Sequence, residues 1–211
     1  MKTTSRFIFP FRYRLLLVIG GFFLCRWWVL AIKQPELNRR NCIDGLRSIS
    51  NAMAQYRNDN DGRFVLNNEE TPPVLTDWGS WEPRRGWANE VQPYLRSTSL
   101  LYCPSAHFAG HSPERDYTSY WLNANLVGIA ANRVTRPAAT FVIGDGNDGT
   151  ERADATYSLK KFPNPWLMDK TKPPFRHQGG ANYIFADGHV AWLTPQQAAR
   201  PDGKHDGFSV H

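Results

Sequence analysis

The sequence predicts an α+β fold in which a long N-terminal helix packs on a small antiparallel β-sheet. Apolar residues recur at spacings of four and three between positions 42 and 56, which lays one stripe along a helix. Two apolar runs in Asn182–Leu193 flank Asp187-Gly188, a favoured hairpin-turn dipeptide. The 211 residues include 16 Gly and 15 Pro, a composition typical of many turns and short strands.

The N-terminal arm is predicted to be a membrane anchor. Leu15–Ile32 is eighteen residues long and carries one charge, Arg26, so it approaches the ~20 apolar residues that cross a bilayer core. Residues 1–14 form a basic leader, and its positive charge predicts that the N-terminus stays in the cytoplasm. Two alternatives stay open, a cleaved signal peptide and a buried helix of a globular protein.

Charge is divided unevenly along the chain. Residues 1–40 hold eight Lys or Arg and one Glu, a net charge of +7, whereas residues 41–211 hold 17 bases and 18 acids, a net charge of −1. The body therefore lacks the positive charge that general binding to phosphates needs. We predict no nucleic-acid partner, and a membrane as the partner of the basic arm.

Residues 33–62 are predicted to continue the helix into the globular body. An apolar stripe at this spacing more often packs in the core of a protein than binds a partner, so we expect it to pack on the sheet. The stripe consists of Cys42, Leu46, Ile49, Met53 and Tyr56. Residues 63–195 then form the C-terminal domain, and residues 196–211 form a flexible tail.

The strands are predicted from short apolar and β-branched runs. Candidates are Ser119–Leu126, Thr140–Gly144 and the two arms of the C-terminal hairpin. A two-residue type I′ turn at Asp187-Gly188 would place Phe185 opposite Val190.

Near the C-terminus, the sequence contains His177, nine intervening residues and then Asp187-Gly188. This spacing resembles the H-X9-DG signature of bacterial prepilin-like proteins, which are relatives of the pseudopilins. Blocks at Cys42–Ile49, Tyr102–Ser105 and Phe141–Gly146 are similar to that family in the same order. The resemblance implies a pilin-like fold and a structural or assembly role in a type II secretion or type IV pilus-like system. It implies other pilin-like subunits or assembly machinery as partners.

The same resemblance implies a single-pass protein of the bacterial inner membrane with a periplasmic C-terminal domain. This sequence lacks the family's leader-peptidase glycine, and no acid lies within Leu15–Leu24, where the family has its early glutamate. The resemblance therefore implies neither removal of the leader nor incorporation into a filament.

Four polar residues near strand ends and turns are the best candidates for a metal site. Carboxylates and carbonyls on such loops suit Ca²⁺, and the resemblance to major pseudopilins, which bind calcium in a C-terminal loop, implies the same ion. The candidates are Asp145, Asp148, His177 and Asp187. Alternatively, Asp187 only forms the turn and His177 only hydrogen-bonds a loop backbone. No C-x₂-C pair is present, and although His107 and His111 at i and i+4 could be two zinc ligands on a helix, Gly110 and Pro113 argue against a helix there.

Cys42 and Cys103 are candidates for a disulfide. Both follow the predicted anchor on the extracytoplasmic side, where disulfides persist, and both lie where members of the resembled family often have cysteine. The bond would close a loop of about 60 residues and stabilise the fold by ~2–4 kcal/mol. The alternative is two buried thiols.

No motif of a nucleotide-binding or hydrolytic enzyme is present, so the sequence predicts no catalytic residue and no small-molecule substrate. A hydrolase built on His177, Asp187 and Asp145 lacks an obvious nucleophile. The main alternative to a pilin-like role is an extracytoplasmic, envelope-associated binding module for calcium or glycan. Its sugar-stacking rings would be Trp78, Trp81 and Trp87, for which core packing is the competing explanation.

Overall fold

The computed structural model of the protein describes residues 19, 21–23, 25–67, 86–106, 118–146 and 156–211. The chain divides into two compact units, Met1–Leu37 and Asn38–His211. Each unit contains part of the long helix that the apolar stripe predicts.

The first unit is helical at every residue that is described. A π-helical segment, Val29–Lys33, leads directly into helix α1, Gln34–Asp59. Eight large apolar side chains of this unit are exposed to solvent, with exposed fractions of 39–65%. They are Ile19, Phe22, Phe23, Trp27, Trp28, Val29, Leu30 and Leu37.

Among the described residues, no helix has both the length and the apolar character needed to cross a membrane. Positions 1–18, 20 and 24, which include the predicted leader and part of the predicted anchor, lie outside the described residues. The long helix that is described, α1, is amphipathic and carries Arg39, Arg40 and Asp44 near its start. The predicted membrane-spanning first half, with its anchor at 15–32 and its inner-membrane location, is therefore wrong.

In the second unit, one face of α1 packs on the sheet. The predicted stripe is buried, with exposed fractions of 0–4%, because its spacing keeps these residues on one side of the helix. The stripe residues are Cys42, Leu46, Ile49, Met53 and Tyr56. The chain leaves the helix through Gly62, whose φ of +71° is a left-handed conformation that glycine adopts without strain.

The sheet has five strands in the order β3-β1-β2-β4-β5. The strands are β1 Tyr120–Asn123, β2 Phe141–Asp145, β3 Ser158–Leu159, β4 Ala181–Phe185 and β5 Val190–Leu193. All neighbouring pairs are antiparallel except β1 and β3, which run parallel. The predicted antiparallel sheet is therefore corrected to a mixed sheet, because a two-residue strand with no apolar alternation joins its edge.

The C-terminal hairpin has a register one residue away from the predicted one. Ile184 pairs with Val190. A two-residue turn would have paired Phe185 with Val190 instead. The loop holds three residues, because the Phe185 amide donates to the carbonyl of His189 at 2.9 Å and Gly188 adopts a φ of +96°. A type I turn followed by a left-handed glycine is the common three-residue loop. A shift of one residue moves Phe185 to the opposite face of the sheet from Val190.

A β-bulge in β2 sets which side chains lie on each face of the sheet. Between Phe141 and Ile143 the pairing with β4 shifts by one residue. Phe141 packs into an aromatic cluster on one face, whereas Val142 and Ile143 both belong to the core beneath α1. Since side chains alternate along the strand after the bulge, Asp145 also lies on the α1 face.

The other face is covered by the C-terminal segment, which was predicted as a flexible tail at 196–211. The Phe208 ring stacks on Trp121 with ring centroids 5.0 Å apart. The amide of Phe141 donates to the carbonyl of Gly207 at 2.7 Å, and that of Thr135 donates to Val210 at 3.1 Å. These contacts tie the segment to the sheet.

Short helices complete the second unit. Two are α-helical, α2 Trp87–Val91 and α3 Pro195–Ala199. The 3₁₀ segments are Gln92–Tyr94, Thr98–Leu101, Ala124–Leu126, Ala131–Arg133, Asn164–Leu167 and Pro173–Phe175.

Candidate functional site: a buried Cys-Asp-His cluster

Four side chains with metal-ligating atoms meet inside the second unit, between α1 and the sheet. Cys42 lies on α1, Cys103 follows the 3₁₀ segment that ends at Leu101, Asp145 ends β2, and His177 precedes β4. Their ligand atoms all lie within 4.8 Å of one another. Each residue is at most 1% exposed. We call this group the Cys-Asp-His cluster.

The Asp145 carboxylate is the hub of the cluster. Its Oδ2 lies 3.1 Å from Nε2 of His177 and accepts a hydrogen bond from the amide of Asn182 at 2.9 Å. The sulfur of Cys42 lies 3.6 and 3.7 Å from the two carboxylate oxygens. The sulfur of Cys103 lies 3.3 Å from the same His177 nitrogen. The bulge in β2 makes these contacts possible, because it turns Asp145 toward α1.

The loop before β4 holds His177 through its backbone. The His177 amide donates to the carbonyl of Gly180 at 2.8 Å, and the Trp192 indole donates to the carbonyl of His177 at 2.8 Å. Gly179 adopts a φ of +86°, and a Cβ on Gly180 would collide with the Trp192 ring. The Gly-Gly pair therefore allows the turn and the close packing that present the imidazole to the cluster.

Two further polar side chains surround the cluster. Nη1 of Arg176, whose side chain is 7% exposed, lies 3.5 Å from Oδ1 of Asp145 and donates to the carbonyl of Ser119 at 3.2 Å. The hydroxyl of Tyr120 lies 3.4 Å from the Cys42 sulfur. The buried carboxylate thus faces two basic side chains.

Opposite charges set the protonation of Asp145 and His177. Burial by itself would raise the pKa of Asp145, but His177 and Arg176 outweigh it and hold that pKa below its usual range. Burial would likewise lower the pKa of His177, but the Asp145 carboxylate and the hydrogen bonds to Asp145 and Cys103 raise it to about 9. Without a metal, the two residues form a buried carboxylate–imidazolium pair at neutral pH.

The pKa values of the two cysteine thiols shift in opposite directions. Burial raises the pKa of Cys42 well above its ordinary value, and the hydrogen bond with Cys103 and the charge of Asp145 act in the same direction. Burial also opposes ionisation of Cys103, but hydrogen bonds from Cys42 and His177 and the charge of Arg176 lower its pKa to about 6. Near pH 7 the cluster therefore holds one thiolate and one thiol.

The structure brings together two of the four predicted calcium ligands, Asp145 and His177. Asp187 lies at the hairpin turn instead, where its Oδ1 is 2.6 Å from Nδ1 of the partly exposed His189. Asp148 lies outside the described residues. The calcium ion itself stays a prediction.

The H-X9-DG segment performs two separate structural tasks. His177 enters the Cys-Asp-His cluster, whereas Asp187-Gly188 forms the hairpin loop. The hydroxyl of Ser50 on α1 donates to the carbonyl of Gly188 at 2.8 Å, which fixes the loop against the helix. Both ends of the motif thus lie close to α1.

Cys42 and Cys103 lie together as the predicted disulfide requires, but both are free thiols in this structure. The disulfide stays a prediction. Sequence reasoning did not join the cysteines to Asp145 and His177, because the four positions are tens of residues apart and form no short motif. Pairing of β2 with β4 and packing of α1 bring them together.

The cluster contains the residue types of a catalytic triad but not its arrangement. In a triad the nucleophile and the carboxylate contact different nitrogens of the imidazole. Here Cys103 and Asp145 both contact Nε2 of His177. Nδ1 of His177 is buried and has no hydrogen-bond partner among the described residues. The Cys103 sulfur is also fully buried, so the arrangement favours cation coordination over nucleophilic attack by a thiolate.

Trp87, one of the three candidate sugar-stacking residues, is fully buried, and its indole donates to the carbonyl of Tyr157 at 3.0 Å. This is the core-packing role that the sequence left open for it. Trp78 and Trp81 lie outside the described residues.

Comparisons of the chain with models of protein families, with curated proteins and with solved structures found no significant match. These comparisons give no support to the predicted assignment to a type II secretion or type IV pilus-like system. The part of that assignment that required a membrane-spanning helix is wrong, since no helix of the described residues is long and apolar enough to be one.

Proposed function

We propose that the protein is a structural subunit, not an enzyme, and that it assembles with further copies of itself through the apolar surface of its N-terminal helical unit. The observation that carries this proposal is the exposure of eight large apolar side chains between positions 19 and 37. Burying one such Phe or Leu side chain is worth about 1.5–3 kcal/mol. A concentration of exposed apolar side chains of this kind is typical of an interaction surface.

The order of these residues favours another helix as the partner. Ile19, Phe23, Trp27 and Leu30 recur at spacings of four, four and three, which places them along one side of a helix. Helices pack through stripes of this kind by fitting the side chains of one between those of the other. A second copy of the chain supplies a matching stripe.

Two further observations support a structural role. The Cys-Asp-His cluster, which contains the strongest nucleophile candidate, is closed to substrates by burial. The resemblance of the H-X9-DG segment to prepilin-like proteins points in the same direction, because their role is structural. The proposal includes neither a membrane anchor nor a secretion system.

The positive charge of the N-terminal part of the chain predicts how self-association depends on salt. Residues 1–40 carry a net charge of +7, so neighbouring copies repel one another through this part of the chain. Added salt screens that repulsion. Self-association through the apolar stripe is therefore expected to strengthen with salt, whereas binding to an anionic partner would weaken.

The test is sedimentation velocity of the full-length protein over a range of concentrations, at low and high salt. We expect discrete oligomers that increase with salt. Replacing Phe23, Trp27 and Leu30 together by Ser is expected to yield monomers. The matched control is Met168→Ser, because Met168 is 79% exposed but lies in the second unit. A wild-type protein that stays monomeric at every concentration, or a control that dissociates as fully as the triple variant, would overturn the proposal.

A further inference from the structure

We propose that the Cys-Asp-His cluster is a structural site for a thiophilic divalent metal, with Zn²⁺ as the expected ion, bound by Cys42, Cys103, Asp145 and His177. The site lies in the second unit and does not depend on self-association, so its test and the test of the proposed function can fail independently.

The donor set selects the class of metal. Two thiolates, one imidazole and one carboxylate are ligands that Zn²⁺ accepts, and four protein ligands are typical of a closed structural zinc site. Ca²⁺ prefers six to eight oxygen ligands, whereas the cluster offers sulfur from Cys42 and Cys103 and carboxylate oxygen only from Asp145. Soft ligands therefore favour zinc over calcium here.

Three of the distances between the ligand atoms are close to those of a tetrahedron around zinc. Bonds of about 2.0–2.3 Å at tetrahedral angles place the ligand atoms roughly 3.3–3.8 Å from one another. The separation of His177 Nε2 from Asp145 Oδ2 is 3.1 Å, and from the Cys103 sulfur it is 3.3 Å. The Cys42 sulfur lies 3.7 Å from the same Oδ2 atom of Asp145. No two of the four ligand atoms are more than 4.8 Å apart, so side-chain shifts of up to about 1 Å bring them to the separations of a zinc tetrahedron.

The surroundings also suit a bound zinc ion. Two thiolates and one carboxylate carry three negative charges against the two positive charges of zinc, and Arg176, 3.5 Å from Asp145, supplies the remaining positive charge. The Asn182 amide holds Oδ2 of Asp145, and the Tyr120 hydroxyl lies beside the Cys42 sulfur. Groups of this kind orient the ligands of metal sites.

Metal binding and the predicted disulfide exclude each other. Coordination forms two metal–sulfur bonds, one metal–nitrogen bond and one metal–oxygen bond, and the protons that the thiols and the imidazole carry are released to solvent. A disulfide would instead join the two sulfurs, with loss of two electrons to an oxidant. A single chain therefore never holds zinc at this site and the Cys42–Cys103 disulfide at the same time, because zinc needs both sulfurs as thiolates.

The test is the zinc content of full-length protein purified under reducing conditions and dialysed after incubation with Zn²⁺. We expect about one zinc ion per chain, as four-ligand structural sites hold. Replacement by Co²⁺ is expected to give the visible absorption of tetrahedral thiolate coordination. Cys42→Ser and Cys103→Ser are each expected to weaken Co²⁺ binding at least tenfold. Cys25→Ser is the matched control, because Cys25 is exposed and lies in the first unit.

A measurement on the wild-type protein guards against variants that do not fold. The native mass of the reduced, dialysed wild-type protein is expected to exceed the mass of the reduced chain by one zinc ion, and to return to the mass of the reduced chain after chelation. Wild-type protein without zinc, a Cys42–Cys103 disulfide that persists in the reduced sample, or binding of Ca²⁺ with no Co²⁺ spectrum would each overturn the proposal.

Discussion

The two faces of the sheet are built from opposite chemistry. The face away from α1 is an aromatic cluster in which Trp121, Phe141 and Tyr183 are fully buried and hold no charge. The face beneath α1 combines an apolar stripe with the buried charges of Asp145, His177 and Arg176. The β-bulge in β2 places Phe141 on the aromatic face and Ile143 on the face beneath α1.

This difference separates two sources of stability. Burial of aromatic surface is insensitive to protonation and to metal ions, because no ionisable charge takes part. A buried ionic cluster stabilises only while its members keep their partners, and it is costly when one is removed. The aromatic face is therefore expected to hold the fold under all conditions, whereas the α1 face responds to pH and to metal.

The largest expected effect is on the aromatic face. Trp121→Ala removes a fully buried ring that stacks on Phe208 and lies 5.8 Å from the Phe162 ring, so it is expected to cost about 3–5 kcal/mol in the free energy of unfolding. Urea unfolding measures this loss, which is expected to be the same with and without Zn²⁺. Met168→Ala, at an exposed position, is the control. A loss for Trp121→Ala that depends strongly on metal would break the comparison.

A smaller effect is expected from Asp145→Asn on the α1 face. The substitution removes the charge that faces His177 and Arg176, so it is expected to cost about 1.5–3 kcal/mol in metal-free protein. It is also expected to lower the pKa of His177, which an NMR titration follows. Asp187→Asn is the matched control, because Asp187 pairs with His189 at an exposed turn. Equal losses for both variants would contradict a special role for the buried pair.

The third expected effect is a change in how stability depends on pH. The pKa of His177 is raised from 6.5 to about 9, so its contribution to stability is complete below pH 6.5 and is lost as pH rises through 9. The pKa of Cys103 is lowered from 9.0 to about 6, so its contribution is complete above pH 9 and is lost as pH falls through 6. In metal-free wild-type protein these opposing slopes nearly cancel between pH 6.5 and 9.

The Cys103→Ser variant loses the pH dependence of stability that Cys103 contributes and keeps the one that His177 contributes. Stability of the metal-free variant is therefore expected to fall as pH rises from 6.5 to 9, by up to about 1.4 kcal/mol per pH unit. Urea unfolding at several pH values measures the slope, with Cys25→Ser as the control. A variant whose stability rises with pH over this interval would contradict the assignment of charge to His177.

Periodic features of the fold were predictable from the sequence, because they depend on local spacing. The α1 stripe from Cys42 to Tyr56 is buried as its spacing predicts. The hairpin around Asp187-Gly188 is present for the same reason. The register of that hairpin was not predictable from the dipeptide alone, since Asp-Gly also occurs in a three-residue loop with glycine in the left-handed conformation.

Features that depend on long-range pairing could not be predicted. The bulge between Phe141 and Ile143 has no sequence signal, yet it decides that Asp145 faces α1. The predicted membrane anchor was inferred from an apolar run in isolation, and among the described residues no helix meets the length and apolarity that a membrane span needs. The side chains of Cys42, Cys103, Asp145 and His177 become one site only through the tertiary fold.

The most direct test of the account is X-ray absorption spectroscopy at the zinc edge on zinc-loaded, full-length protein. The Cys-Asp-His cluster predicts a first shell of two sulfur atoms at about 2.3 Å and two nitrogen or oxygen atoms at about 2.0–2.2 Å. Cys25→Ser is expected to leave this shell unchanged, whereas Cys42→Ser removes one sulfur. A shell of nitrogen and oxygen atoms alone would contradict the site and the contrast between the two faces of the sheet.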